Sequence, residues 1–148
     1  MLRSFILLLL FSNFAVAEKL IVPPKQIVKI AKMLAYEDFP TYVDILSICA
    51  VESNYKQFAK NPEKGISSVG VMQVRGGVYN LDANMGMGVT LLRQYYKRLG
   101  SSENAIRSYN VGIGTFKAGK AKISADQYYG KFLKRRAELA KYFNEQKR

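Results

Sequence analysis

The chain has 148 residues, 49% of them apolar and 23% charged, which suits one folded domain with one core. It carries no histidine and a single cysteine, so Ser-His-Asp and Cys-His catalysis, the usual zinc ligand sets and an internal disulfide are excluded. A formal net charge of +12 points to an anionic partner: nucleic acid, a membrane surface or the bacterial wall.

Residues 1–17 read as a secretory signal peptide. Arg3 gives a positive start, residues 5–11 are an apolar run, and Ala15-Val16-Ala17 has the small-x-small form of a cleavage site ahead of polar Glu18-Lys19. The stretch is short for a membrane span, and an uncleaved N-terminal anchor is the alternative. Cleavage would leave residues 18–148 as one domain in the periplasm or cell envelope; it removes one charge, Arg3, so +12 becomes +11. Export makes nucleic acid the least suitable of the anionic partners. The basic residues near the C-terminus, Lys131, Lys134, Arg135, Arg136 and Lys141, read as the solvated side of a terminal helix.

Pro24 suits a first helical turn, and Ile27, Ile30, Ala31 and Leu34 recur at i, i+3, i+4, i+7, which predicts an amphipathic helix over 24–36. Glu37-Asp38-Phe39-Pro40 breaks it. Thr41 is a fair N-cap for a second helix ending near Glu52. Its residues Ile45, Ile48 and Cys49 share one face, and Cys49 reads as a small buried hydrophobe.

Periodicity then disappears from 53 to 80, where Asn61-Pro62, Gly65, Gly70 and Gly76-Gly77 mark turns. Residues 69–74 are still apolar enough to be partly buried, and a long Gly-punctuated segment inside a small domain is usually functional. Asp82 is the expected N-cap of a third helix running to Leu99, with Met85, Val89, Leu92, Tyr96 and Leu99 on its apolar face and Gly100 just past its end. Gly86 and Gly88 weaken that helix unless another backbone packs close to them. Ser101 or Ser102 caps a short helix carrying Ala105, Ile106 and Tyr109. Residues 115–123 read as a Lys- and Gly-rich connection. Ser124 with Gln127 matches a capping box opening a last helix, whose apolar positions are Tyr128, Tyr129, Phe132, Leu133, Leu139, Ala140 and Phe143.

The remaining acid–base groups are carboxylates, tyrosines and lysines. Of eleven carboxylates, Asp82 and Asp126 have a capping explanation; Asp44, Glu63 and Glu103 have no obvious role. Glu52 alone combines an apolar helical face with a position directly before the irregular segment. A carboxylate there either reaches out into water from the last turn or is held protonated, as a general acid must be.

Four motifs occur in order: Glu52-Ser53-Asn54, Gly70-Val71-Met72-Gln73-Val74, Asn84-Met85-x-x-Gly88-x-x-Leu91-Leu92 and Ser108-Tyr109-Asn110-x-Gly112, followed by Tyr128-Tyr129 ahead of Phe132-Leu133. In this the chain resembles the soluble-type lytic transglycosylases, over about residues 25–140. The resemblance implies a mostly α-helical, lysozyme-like domain with an irregular Gly-rich active-site segment. It implies non-hydrolytic cleavage of the bond between N-acetylmuramic acid and N-acetylglucosamine in peptidoglycan, with no cofactor and no metal. By the same resemblance Glu52 is the sole acid and base, and Ser53, Gln73, Tyr109, Asn110 and Tyr128 bind or orient substrate. Ser53 would orient the Glu52 carboxyl, or else is a polar helix end; Gln73 would meet an N-acetyl or hydroxyl group, or else braces the loop; Tyr129 is the alternative to Tyr128. Asn84 and Gly88 read as structural.

Two features depart from the family pattern. Val71 stands where Leu is usual, and Arg75-Gly76-Gly77 replaces a proline often found there, which changes the rim of the cleft. Two other functions compete: a hydrolase like the goose-type lysozymes, needing a second carboxylate such as Glu63 or Asp82, and a non-catalytic wall-binding protein. The expected partners are peptidoglycan glycan strands, with an envelope-spanning secretion, conjugation or phage assembly as a further one, and the expected state is a monomer.

Overall fold

The computed structural model describes residues 20–62 and 65–147. The segment read as a signal peptide lies outside them, as does Glu63. The described chain is mostly helical. Its elements are α1 (Lys25–Leu34), α2 (Tyr42–Ser53), β1 (Lys60–Asn61), β2 (Ser68–Val69), β3 (Val74–Arg75), α3 (Leu81–Leu99), α4 (Ser102–Val111), α5 (Ile113–Lys117) and α6 (Lys122–Glu145). No described helix is long and apolar enough to cross a membrane.

Helix α2 is the central element. The one-face pattern of Ile45, Ile48 and Cys49 understates it: every residue from Asp44 to Ala50 is buried, and α1 and α6 pack against it. Burial pushes the Cys49 thiol well above its ordinary value, in keeping with a small core hydrophobe. The helix starts where Thr41 stops being extended, and the cap is reciprocal. Thr41 Oγ1 accepts from the Asp44 amide at 3.3 Å, and Asp44 Oδ2 accepts from the Thr41 amide at 2.9 Å. Asp44, which had no role in the sequence, therefore has two, because Arg136 Nε of α6 donates to its Oδ1 at 2.7 Å. A carboxylate this deeply buried is tolerable because both oxygens have donors. Thr41→Ala should cost about 1 kcal/mol in urea unfolding, the usual scale of a lost N-cap; unchanged stability would show that Asp44 and Arg136 hold the helix start alone.

At its other end α2 stops at Asn54, which is left-handed with φ 50°. This leaves Glu52 in the last turn and sends the chain into a segment that folds as a three-stranded antiparallel sheet in the order β1-β2-β3. Each strand has two residues, too short for any alternation to register. The expected burial is found: Val69, Val71, Met72 and Val74 all lie in the core.

The third helix starts two residues earlier than expected. Asn80 is its N-cap, its Oδ1 accepting from the Ala83 amide at 2.9 Å, and Asp82 lies inside the first turn, where a negative charge meets the positive end of the helix. Met85, Val89 and Leu92 are buried as the periodicity predicts, and Gly100 ends the helix in the left-handed region. Ser101, rather than Ser102, caps α4. Two corrections follow. Residues 113–117 form the short helix α5, which runs into the stretch read as a connection, and α6 begins at Lys122, two residues before Ser124. The Ser124–Gln127 capping box is not formed; the Ser124 hydroxyl donates to Asn110 Oδ1 at 3.1 Å instead. On α6, Ala125, Tyr128, Phe132 and Leu139 are buried, whereas Leu133 is 45% exposed and does not belong to the apolar face.

Arg93 of α3 ties the break between α1 and α2 to the body of the protein. Its Nη1 donates to Asp38 Oδ1 at 2.7 Å and to the Phe39 carbonyl at 2.6 Å, and its guanidinium lies 4.2 Å from the Tyr36 ring centre. The Arg93 hydrogen bond holds the Asp38 carboxyl below its ordinary range.

Candidate active site

Glu52 opens onto a cleft of about 320 Å³ bounded by α2, the sheet, α3 and the end of α4. From α6, 76 residues downstream, the Tyr128 hydroxyl donates to Glu52 Oε1 at 2.5 Å. Burial first, and the Glu52 charge second, push the Tyr128 phenol well above its ordinary value. It therefore keeps its proton at any ordinary pH and acts on Glu52 as a fixed donor. Tyr129, the neighbouring candidate, stacks on Phe132 and lies under Arg107, so Tyr128 is the tyrosine that reaches the acid.

The opposite wall is the segment 70–74, and several side chains hold it. Asn84, fully buried on α3, accepts from the Met72 amide at 3.0 Å and donates to the carbonyls of Val69 at 2.8 Å and Val78 at 2.9 Å. Gly70 has φ 83°, and a Cβ there would lie 2.3 Å from Asn84 Nδ2, so only glycine fits over that amide. The Ser53 hydroxyl donates to the carbonyls of Val71 at 2.8 Å and Cys49 at 3.2 Å. It braces the wall against α2; its proton is not directed at Glu52, as the sequence suggested. Gln73 spends its amide hydrogens on the carbonyls of Gly70 at 2.8 Å and Ala59 at 3.1 Å, which leaves Oε1 as its acceptor toward the cleft.

Tyr109 joins the two walls. Its hydroxyl donates to the Met72 carbonyl at 2.8 Å while its ring lines the cleft, and burial followed by the Glu52 charge raises its phenol as well. Gly88 makes room for this contact: a Cβ there would lie 2.6 Å from Met72 Sδ and 2.9 Å from the Tyr109 hydroxyl. The close approach expected at Gly88 is thus made by side chains rather than backbone. Gly86 has nothing within 4 Å of its Cβ position, so the same expectation fails there.

Of the six residues named from the sequence, Glu52, Gln73, Tyr109 and Asn110 line one cleft. Ser53 and Tyr128 sit behind it, one holding the wall and the other the acid. Arg75, expected at the rim of the cleft, lines it, and so do Asn61, Ser68, Leu91 and Tyr95, to which the sequence assigned no role in the site. A signal for two of them was present: Asn84, Gly88, Leu91 and Tyr95 follow the i, i+4, i+7, i+11 spacing of a second stripe on α3. Among the described residues lining the cleft, Glu52 is the one carboxylate. Asp82 is exposed on the first turn of α3 and does not line it. No protein-family model, curated protein or solved structure matches the chain.

Proposed function

We propose that this protein is a peptidoglycan lytic transglycosylase with a lysozyme-like fold, exported to the periplasm or envelope, and that Glu52 is both its acid and its base. The observation that carries the reading is the convergence of separate motifs on one cleft. Glu52 from α2, Gln73 from the turn between β2 and β3, and Tyr109 and Asn110 from α4 line the same space, with one carboxylate among the described lining residues.

One carboxyl is enough for the reaction. Glu52 donates its proton to the glycosidic oxygen, and the bond from that oxygen to C1 of the muramoyl residue breaks with departure of the N-acetylglucosamine hydroxyl. The carboxylate left behind stabilises the positive charge growing at C1. It then accepts the proton of the muramoyl C6 hydroxyl as that oxygen bonds to C1, closing a 1,6-anhydro ring. Glu52 ends protonated, as it began, and no water is consumed. A hydrolase would instead need a second group to activate water. Gln73 Oε1 and the Asn110 amide offer an acceptor and a donor to the N-acetyl and hydroxyl groups of the sugars, and the Tyr109 ring offers a stacking face.

Tyr128 tunes this acid. A hydroxyl donated to a carboxylate favours its ionised form. Tyr128→Phe removes that donor, so Glu52 should keep its proton to higher pH, and the alkaline limb of the pH–rate profile should move upward. A limb that stays in place while the plateau falls would reduce Tyr128 to a packing role. The reading as an enzyme is tested by incubating the full chain with purified peptidoglycan and measuring released soluble fragments. Release is expected; binding to the wall without release would favour a non-catalytic wall protein.

A further inference from the structure

Helix α1 turns a face to solvent that the proposed chemistry does not use. At 3.6 residues per turn, Lys32, Lys25, Lys29, Met33 and Gln26 fall side by side on one arc of about 120°, opposite the stripe that packs on the core. All five are exposed, while Ile27, Ile30 and Ala31 on the other side are buried. The helix holds no acidic residue. Met33 is 73% exposed, and Ile21 and Val22, just ahead of the helix, are exposed as well. Lysines around apolar side chains on the outer face of one helix are the pattern of a segment that lies on a lipid surface.

The charges of this face are not spent within the protein. Elsewhere, Arg107 pairs with Glu103 and Asp126, Arg136 with Asp44 and Arg93 with Asp38. Among the described residues, Lys25, Lys29 and Lys32 make no ion pair; Lys32 lies 5.6 Å from the Tyr42 ring centre, a contact that leaves its charge in place. Their spacing of four and three residues makes neighbours of like charges, which repel. Lys25 also stands in the first turn, at the positive end of the helix, where no side chain caps it. An anionic surface laid along this face relieves both the repulsion and the clash with the helix dipole. No α1 residue is among those lining the cleft, so such a surface leaves the cleft open.

We propose that the outer face of α1 is a docking surface for a phospholipid bilayer with anionic headgroups. The three lysines meet headgroup phosphates, and Met33 enters the boundary between headgroups and acyl chains, with Ile21 and Val22 beside the start of the helix. A charged wall polymer would also attract the lysines, but it would leave Met33, Ile21 and Val22 in water. The inference is independent of the cleavage chemistry.

The test is sedimentation of the full chain with vesicles of phosphatidylglycerol and phosphatidylcholine in equal parts, and with vesicles of phosphatidylcholine alone. The wild type should bind the first and not the second. Replacing Lys25, Lys29 and Lys32 together by Gln should weaken binding about a hundredfold, at about fivefold for each lysine held near an anionic surface. Replacing Lys117, Lys120 and Lys122, exposed at the junction of α5 and α6, removes the same charge from another face and should leave most of the binding. The chain has no tryptophan, so Met33→Trp places a single indole on the proposed face. Its emission should shift to the blue and be quenched by brominated acyl chains on the anionic vesicles. Thermal unfolding checks that each variant is folded, and a pull-down on purified peptidoglycan should show the α1 triple variant binding the wall as the wild type does. Equal loss in the two triple variants, equal binding to both kinds of vesicle, or an indole unshifted on bound chain overturns the inference. So does loss of wall binding in the α1 variant with vesicle binding kept, which would assign the face to the wall.

Discussion

Glu52→Gln should lower the release of peptidoglycan fragments by at least about a hundredfold, the usual worth of a positioned general acid and base. The substitution is nearly isosteric, and the amide oxygen can still accept from Tyr128, so the fold and the cleft should survive. Wall binding should survive as well, because Gln73, Tyr109 and Asn110 are untouched. Thermal unfolding and a peptidoglycan pull-down check both. A variant that binds, melts as the wild type does and releases nothing is the expected result. Full activity would remove Glu52 from the mechanism.

Asn84→Ala should be the most damaging change away from the acid. The residue is fully buried, and its side chain makes three hydrogen bonds to backbone groups of the segment 69–78. Removing it strands the Met72 amide and two carbonyls, at roughly 1 kcal/mol each, so the loss should be about 3 kcal/mol in urea unfolding. The segment also carries Gln73 and receives the Ser53 and Tyr109 hydroxyls, so activity should fall further than stability alone explains. Gly70→Ala should act in the same direction, since its Cβ would collide with the Asn84 amide. Wild-type stability in Asn84→Ala would mean that the wall is held chiefly by the sheet and by Ser53.

The residues of the candidate cleft were easier to locate from the sequence than the local structure that carries them. Glu52, Gln73, Tyr109 and Asn110 were legible because motif order and spacing survive without any knowledge of the loop between them, and the structure places all four on one cleft. Ser53 and Tyr128 stand behind the cleft, and their contacts were not legible. Helical spacing tells which face a residue shares, not whether its hydroxyl meets a carbonyl or a carboxylate. The helices with a clear 3.6 period were found, while their starts were not always. Asn80 and Asp82 are both good caps, and Ser124-Gln127 fits the capping pattern inside a helix that already began at Lys122. Asp44 escaped notice because its cap partner is local but its second partner, Arg136, is 92 residues away. The sheet was invisible for a simpler reason: two-residue strands have no period.

The proposed reaction turns on a single carboxyl acting as acid and then as base with no water taken up. Masses of the fragments that the wild-type chain releases from purified peptidoglycan test this most directly. The expected products carry 1,6-anhydromuramoyl ends, each lighter by one water than the corresponding lysozyme product. Reducing muramoyl ends would contradict it and would place a water-activating group in the cleft beside Glu52.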